Sequence, residues 1–309
     1  MPQIVLKFNQ NEIKDMRQYY KTQLTETPIG ALFRAKTDHC VITGYRSGKV
    51  LFQGARPDIE FNKWEQTSKQ TSIHEQTKRN KSFFEPPDTL YSSFHIGSDE
   101  AGTGDYFGPI TVGATYVTPE SITNLKNIGV KDSKAFSDNH IQKLAAEIMS
   151  LKIPYALLVL PNEKYNTLQK QGWTQGKMKA MLHHHAIQKL LRRIVNQPLN
   201  GILIDQFCEP SIYKRHLNSE HEAIQNNLYF KTKAESHSIA VAAGSILART
   251  RFLQAMEDLS VNAGMTLPKG ASQKVDRVIA VIKQKYGSDY LDTCAKVHFA
   301  NTHKANAYL

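Results

Sequence analysis

Apolar and polar positions along this chain follow two rhythms, and the change between them divides it. "IVLKF", Ile4 to Phe8, is an apolar run of strand length. Ile13, Met16 and Tyr20 then recur at helical spacing behind Asn9 and Asn11, either of which can cap a helix. From Gly30 to Gly54, in "GALFRAKTDHCVITGYRSGKVLFQG", turn signals at Thr37-Asp38 and Arg46-Ser47-Gly48 separate three apolar runs and predict an antiparallel meander. "PDIEFNKWEQ" predicts a second helix starting at Pro57. The next stretch, "QTSKQTSIHEQTKRNKSFFEPPDT", is polar and charged and ends in two prolines, so it reads as an interdomain linker. The expected organisation is a small α+β domain over 1–65, a linker over 66–90 and a larger domain over 91–309.

In the larger domain apolar strands alternate with helical segments. "FHIGSDE", "ITVGATYV", "YALLVLP" and "GILIDQF" predict four strands, and the last is apolar on both faces, as in a parallel strand covered on both sides. Helices are expected over about Ser137 to Leu151, Gly176 to Val195, Ser236 to Leu259 and Val275 to Tyr286. The first two strands are too closely joined for a parallel crossover, so the class is α/β with a mixed sheet.

Composition narrows the function classes. The chain has 309 residues, 40% of them hydrophobic, enough for real cores, and a formal net charge of +11 that favours a polyanionic partner. Its three cysteines, Cys40, Cys208 and Cys294, lie far apart with no CxxC spacing, which supports neither a disulfide framework nor a structural zinc site. There is no export signal and no run of about 18 apolar residues, so a soluble, cytoplasmic protein without membrane contact is expected.

Against that basic background, "IGSDEAGTGDYFGPI" opens a glycine-rich turn with two acids, Asp99 and Glu100. A turn that cradles phosphate through its amides needs positive potential. The run also misses the dinucleotide fingerprint, because Phe107 stands at the third glycine. Asp205 ends the buried strand "GILID", and Glu235 precedes a helix rich in small residues. If the strands of Asp99 and Asp205 are neighbours, all four acids converge beyond the carboxyl ends of the sheet and raise one another's pKa. Hard divalent cations relieve that conflict, and two of them roughly 3.5 to 4 Å apart can cleave a phosphodiester. Taken singly, each acid has a plainer reading as a turn, cap or surface residue; the joint placement favours the metal reading. The run His183-His184-His185 reads as a solvated helix face, since consecutive helical side chains diverge. "KDSK", Lys131 to Lys134, is either an ordinary charged loop or a phosphate contact through Ser133 and Lys134.

"GSDEAGTGDYFGPI", "KDSK", "IDQF", "TKAES" and "AAGSILAR" together resemble bacterial ribonuclease HIII, a relative of ribonuclease HII, over essentially the whole chain. The resemblance implies an RNase H-like catalytic domain and an N-terminal domain similar to one repeat of the TATA-binding protein. It implies endonucleolytic cleavage of RNA in an RNA/DNA hybrid duplex with Mg²⁺ or Mn²⁺, two ions being bound with substrate, to leave 5′-phosphate and 3′-hydroxyl ends. Matched by motif, Asp99, Glu100, Asp205 and Glu235 are the four catalytic, metal-holding acids, and Glu at the last position is the ribonuclease HIII choice where ribonuclease HII has Asp. Gly102, Thr103 and Gly104, with Ser133 and Lys134, are the expected substrate contacts. Thr103 replaces the arginine with which ribonuclease HII reads an RNA–DNA junction, and Ala234 stands where the family has glycine. A monomer is expected. The rivals are a ribonuclease HII-like junction endonuclease, a non-catalytic nucleic-acid-binding protein and a nucleotide-dependent α/β enzyme; the last lacks a Walker lysine.

Overall fold

The computed structural model describes residues 3–28, 30–64, 84–132 and 136–309. The chain divides into two compact units, Met1–Asn80 and Lys81–Leu309. In the first, strand β1 (Gln3–Lys7) leads to helix α1 (Gln10–Tyr19), and it is Asn9 that caps it. Asn9 Oδ1 accepts from the amides of Asn11 and Glu12, while Glu12 Oε2 accepts the Asn9 amide at 2.6 Å, so the orphan donors of the first turn are satisfied reciprocally. The meander follows as β2 (Ala31–Lys36), β3 (Cys40–Tyr45) and β4 (Lys49–Gly54). The antiparallel order is β1-β4-β3-β2, because β1 returns to pair with β4. Helix α2 begins at Pro57 and is described over 57–64. Ile13, Met16 and Tyr20 bury one face of α1 against Phe33, Ile42, Val50 and Phe52 of the sheet.

In the second unit β5 (His95–Ala101), β6 (Ile110–Val117) and β7 (Tyr155–Leu160) are antiparallel neighbours, and β8 (Gly201–Asp205) and β9 (Leu228–Lys231) extend the sheet in parallel from β5. The order is β7-β6-β5-β8-β9. Its helices are α3 (Pro119–Asn127), α4 (Asp138–Ser150), α5 (Asn162–Lys170), α6 (Gln175–Leu191), α7 (Pro210–Asn218), α8 (Ile239–Ala263), α9 (Gln273–Tyr286), α10 (Leu291–Cys294) and α11 (Asn301–Lys304). The alternation of β6 separates the two layers. Val112, Ala114 and Tyr116 pack with α6, while Thr111 and Thr115 donate to carbonyls of α8, those of Ala248 and Ala240. Helix α8 sits very close to the sheet. A Cβ on Gly113 would lie 2.2 Å from the carbonyl oxygen of Gly244, and one on Gly97 2.2 Å from the amide of Val241. The small residues of "AVAAGSILA" make that approach possible.

All four expected strands form, and the expected helices do so with shifted ends. Strand β9 and helices α3, α5, α7, α10 and α11 were not expected from the sequence. Most of the expected linker, 66–83, lies outside the described residues. Its last part belongs to the second unit, where the Phe84 carbonyl accepts the Phe230 amide and Leu90 is buried beside Leu203.

Candidate active site

Parallel pairing sets Ser98 of β5 opposite Ile204 of β8, so the next residues, Asp99 and Asp205, follow side by side where that pairing ends. The charge of Asp205 reaches Asp99 strongly enough to raise its pKa. Successive residues of a strand face opposite ways. Asp99 therefore turns to the α8 side, where the Ser245 side chain bonds it, and Glu100 turns to the α6 side. There Lys179 Nζ lies 2.8 Å from Glu100 Oε1, and His183 Nε2 lies 2.9 Å from Oε2. The other nitrogen of His183 is 2.7 Å from Ser98 Oγ, so one imidazole spans two residues of β5. Phe207 backs this pair, stacked on His183 and beneath the Lys179 ammonium.

The two adjacent acids have opposite electrostatics. Burial, then the charge of Glu100, pushes the Asp99 carboxyl up to about 8, against the hydrogen bonds from Ser245 and the Glu100 amide. Burial also works against ionising Glu100, but His183 and Lys179 outweigh it and hold that carboxyl below the usual range. A cation nearby would therefore favour the ionised form of Asp99, whereas Glu100 already has cationic neighbours. Glu235 comes from a 3-10 turn over Ala234–Ser236, entered through Lys233 in the left-handed region. The Ala234 amide donates to Asp205 Oδ1 at 2.8 Å, which fixes this turn to the end of β8, and Glu235 is buried. Position 234 needs no positive φ, so alanine serves where glycine was expected. Among the described residues no three of these acids bring ligand atoms within 4.8 Å of one another. Four carboxylates, Asp99 and Glu235 among them buried, make the oxygen donor set that a hard divalent cation takes.

The glycine turn beside the acids is rigid at both ends. Gly102 has φ +88°, and a Cβ there would lie 2.3 Å from the Pro109 carbonyl oxygen, so glycine is required. The Thr103 carbonyl accepts from Gln175 Nε2 at 3.1 Å. Gly104 is exposed, with no atom within 4 Å of where its Cβ would be. Lys296, wholly buried, donates to the carbonyls of Asp105 and Gly108. Phe107, the residue that breaks the dinucleotide pattern, is a core anchor packed with Tyr106, Phe252 and Met256.

With this geometry the chain can be set beside known proteins. The family model described as Ribonuclease HII matches residues 96–302, and one for a domain of unknown function matches 3–78. The ribonuclease HIII of Oceanobacillus iheyensis is 54% identical over 313 residues, covering 100% of both chains. This chain belongs to the ribonuclease HIII family. The ribonuclease HIII of Bacillus mycoides is 46% identical, covering 98% of this chain and 97% of its own. A solved structure described as Bst-RNase HIII in complex with Mn²⁺ is 41% identical, with TM-score 0.69 over 99% of this chain and 98% of the other. The fold is therefore the RNase H-like α/β fold with a mixed sheet, and the family is one of endoribonucleases. Among the described residues no helix is long and apolar enough to cross a membrane.

Within this ribonuclease HIII framework, the reading of the histidine run needs correction. His183 and His184 are buried rather than solvated, and only His185 is exposed. The stretch is amphipathic inward because α6 packs on the sheet with a histidine toward Ser98 and Glu100. Lys179 and His183 are four residues apart on α6, a spacing that puts both on one face and was the available signal for them. Ser245 was hidden among small residues. Ser133 and Lys134 lie outside the described residues; their neighbour Asp132 accepts from Ser236, next to Glu235.

Proposed function

We propose that this protein, acting as a cytoplasmic monomer, cleaves the RNA strand of RNA/DNA hybrids endonucleolytically with two divalent ions, Mg²⁺ or Mn²⁺, leaving 5′-phosphate and 3′-hydroxyl ends. The observation that carries the reading is the pairing of β5 with β8, which sets Asp99 beside Asp205 while α6 holds Glu100 ionised. Asp99, Glu100, Asp205 and Glu235 would hold the ions. When bound, such ions supply an activated water and neutralise the leaving oxygen. The relative described with Mn²⁺ supports this class of cofactor.

The remaining residues prepare the site. Lys179 and His183 fix both oxygens of Glu100, and Ser245 orients Asp99. Gln175 and Lys296 hold the carbonyls of the turn, leaving amides of Gly102, Thr103 and Gly104 to follow successive RNA 2′-hydroxyls, the groups that distinguish RNA from DNA. Ser133 and Lys134 add phosphate contact. Residues 91–309, with the end of the linker packed on them at Phe84 and Leu90, form the catalytic domain, and 1–65, joined to it through 66–90, a TATA-binding-protein-like domain that grips the duplex. None of the strands β1 to β4 carries an acid, and Lys7 stands directly opposite Lys49 on the solvent side. Like charges opposed across a sheet destabilise it, so an anionic partner there is the natural compensation.

The decisive experiment is Asp99→Asn with a labelled hybrid. Binding should stay near wild type and turnover should fall by about three orders of magnitude or more, since the amide keeps the shape but loses the charge that holds the ions. Turnover close to wild type would exclude the metal assignment. Thr103 is short and uncharged, so recognition is spread over several ribonucleotides. A duplex with a ribonucleotide tract should be cut efficiently in Mg²⁺ and one with a single ribonucleotide hardly at all; equal rates favour the junction reading instead.

A further inference from the structure

One turn of α6 presents a second set of donors that the catalytic acids do not use. His184 follows His183 but is turned about 100° away from it around the helix axis. Its side chain is wholly buried, and its Nε2 lies 3.0 Å from Glu222 Oε2 and 2.8 Å from Gln188 Nε2. A carboxylate needs a proton on that nitrogen and an amide N–H needs a lone pair, so no neutral tautomer serves both as they stand. The ring's other nitrogen, Nδ1, is buried with no hydrogen-bond partner. His185 is exposed, its ring edge-on to that of His184 with centroids 5.5 Å apart. Glu222 is brought in from the end of α7. His221 takes a left-handed conformation there, and the Glu222 amide then bonds the Leu217 carbonyl. One donor atom from each of His184, His185 and Glu222 lies within 4.8 Å of the other two.

We propose that His184, His185 and Glu222 form a second metal site, for a divalent transition ion of the zinc, nickel or cobalt class, distinct from the four-carboxylate centre. Two imidazoles and a carboxylate suit such ions, whereas Mg²⁺ prefers an all-oxygen set, so the two sites sort cations by chemistry. A tetrahedral ion with donors at about 2.1 Å needs those donors roughly 3.4 Å apart. His184 is fixed by burial, and the exposed His185 and half-exposed Glu222 close the gap by side-chain rotation, with solvent at the fourth position. Glu222 already contacts His184, which orders one ligand pair before any ion arrives. The ion would pin the segment after α7 to α6, the helix whose Lys179 and His183 hold Glu100.

The test uses the full-length protein, stripped by a chelator and then saturated with Mg²⁺ to occupy the carboxylate centre. Zn²⁺ is titrated by calorimetry and Co²⁺ by visible absorption, and thermal melting is followed in parallel. One equivalent of each should bind, with the ligand-field bands of a nitrogen-and-oxygen site for Co²⁺ and a higher melting temperature with Zn²⁺. His185→Ala and Glu222→Gln change exposed or half-exposed groups and should keep the fold, as judged by circular dichroism. Each should weaken binding about tenfold or more and remove the melting shift. Absence of the equivalent in the wild type, its persistence in both variants, or its loss in only one of them, as simple capture by a surface histidine would give, overturns the site.

Discussion

Burying the ammonium of Lys296 costs far more than burying its alkyl stem, yet this side chain is wholly enclosed beneath the glycine turn. It is tolerated because its nitrogen donates to two carbonyls, those of Asp105 and Gly108, a task an uncharged amine can also perform. Burial lowers its pKa from 10.5 to about 7, against the charge of Asp105. The unfolded chain therefore binds more protons than the folded one between those values, and stability from this residue rises with pH. It is greatest above 10.5 and is lost as pH falls through 7. Lys296→Met should remove that slope: relative to the variant, the wild type should gain in denaturant midpoint between pH 7 and pH 10, with the difference curve isolating this group from tyrosines and cysteines. Parallel pH profiles for the two proteins would place the charge of Lys296 elsewhere. The variant should also cleave hybrid more slowly, since the turn loses its tether. Nothing in the sequence announced this residue, because its partners lie 191 and 188 positions away. Asp99 and Asp205 were legible for the opposite reason, as acids at the ends of apolar strands whose neighbourhood an α/β sheet dictates.

Among the elements, α8 bears on the site most directly; its existence was legible, although the expected span, Ser236 to Leu259, lies a few residues early of Ile239–Ala263. Its run of alanines and glycine announces close packing, and the structure shows it: Gly244 meets Gly113, while Ala240 and Ala248 offer carbonyls to Thr115 and Thr111. Gly113→Ala should push the helix off the sheet, because the obstructing atom is a backbone oxygen that no rotamer change can move. We expect a loss of about 1–3 kcal/mol in urea unfolding, the usual scale of overpacking. Activity should fall further than stability explains, because α8 carries Ser245 to Asp99. Unchanged melting and turnover would show that the sheet accommodates the methyl group. The elements missed from sequence share a physical cause. Strand β9 has four residues, Leu228–Lys231, too few for its alternation to stand out, and it forms because β8 offers a parallel edge. Helices α3 and α7 each begin at a proline, a start signal with no long apolar periodicity behind it to mark a helix. The histidine run failed differently: the divergence of consecutive helical side chains favoured a solvated face, and the position of α6 over Ser98 and Glu100 turned His183 inward.

For the whole molecule, the net charge of +11 is a cost to the free protein and an advantage only with a polyanion bound. The opposed pair Lys7 and Lys49 shows that conflict at one point, since both are exposed and directly across from each other between β1 and β4. Residues held there for folding alone would not be two lysines. On the same side of the sheet Arg34 and Lys36 are exposed as well, while Phe33 and Ala35, which alternate with them, are buried in the core. Replacing Lys7 and Lys49 together by Ala should therefore move two quantities in opposite directions. Thermal stability of the free protein should rise slightly, by about 0.2–1 kcal/mol, as a like-charge cross-strand pair is relieved. Affinity for hybrid should fall, and the slope of log affinity against log salt should become shallower by roughly one unit for each phosphate that the protein no longer neutralises. Cleavage at saturating hybrid should stay near wild type, since both lysines belong to the first unit and the acids to the second. A stability gain with unchanged affinity and salt slope would mean that this face does not meet the duplex. A fall in both stability and affinity would mean that the lysine stems are needed for packing, and that the charge itself carries no part of the grip.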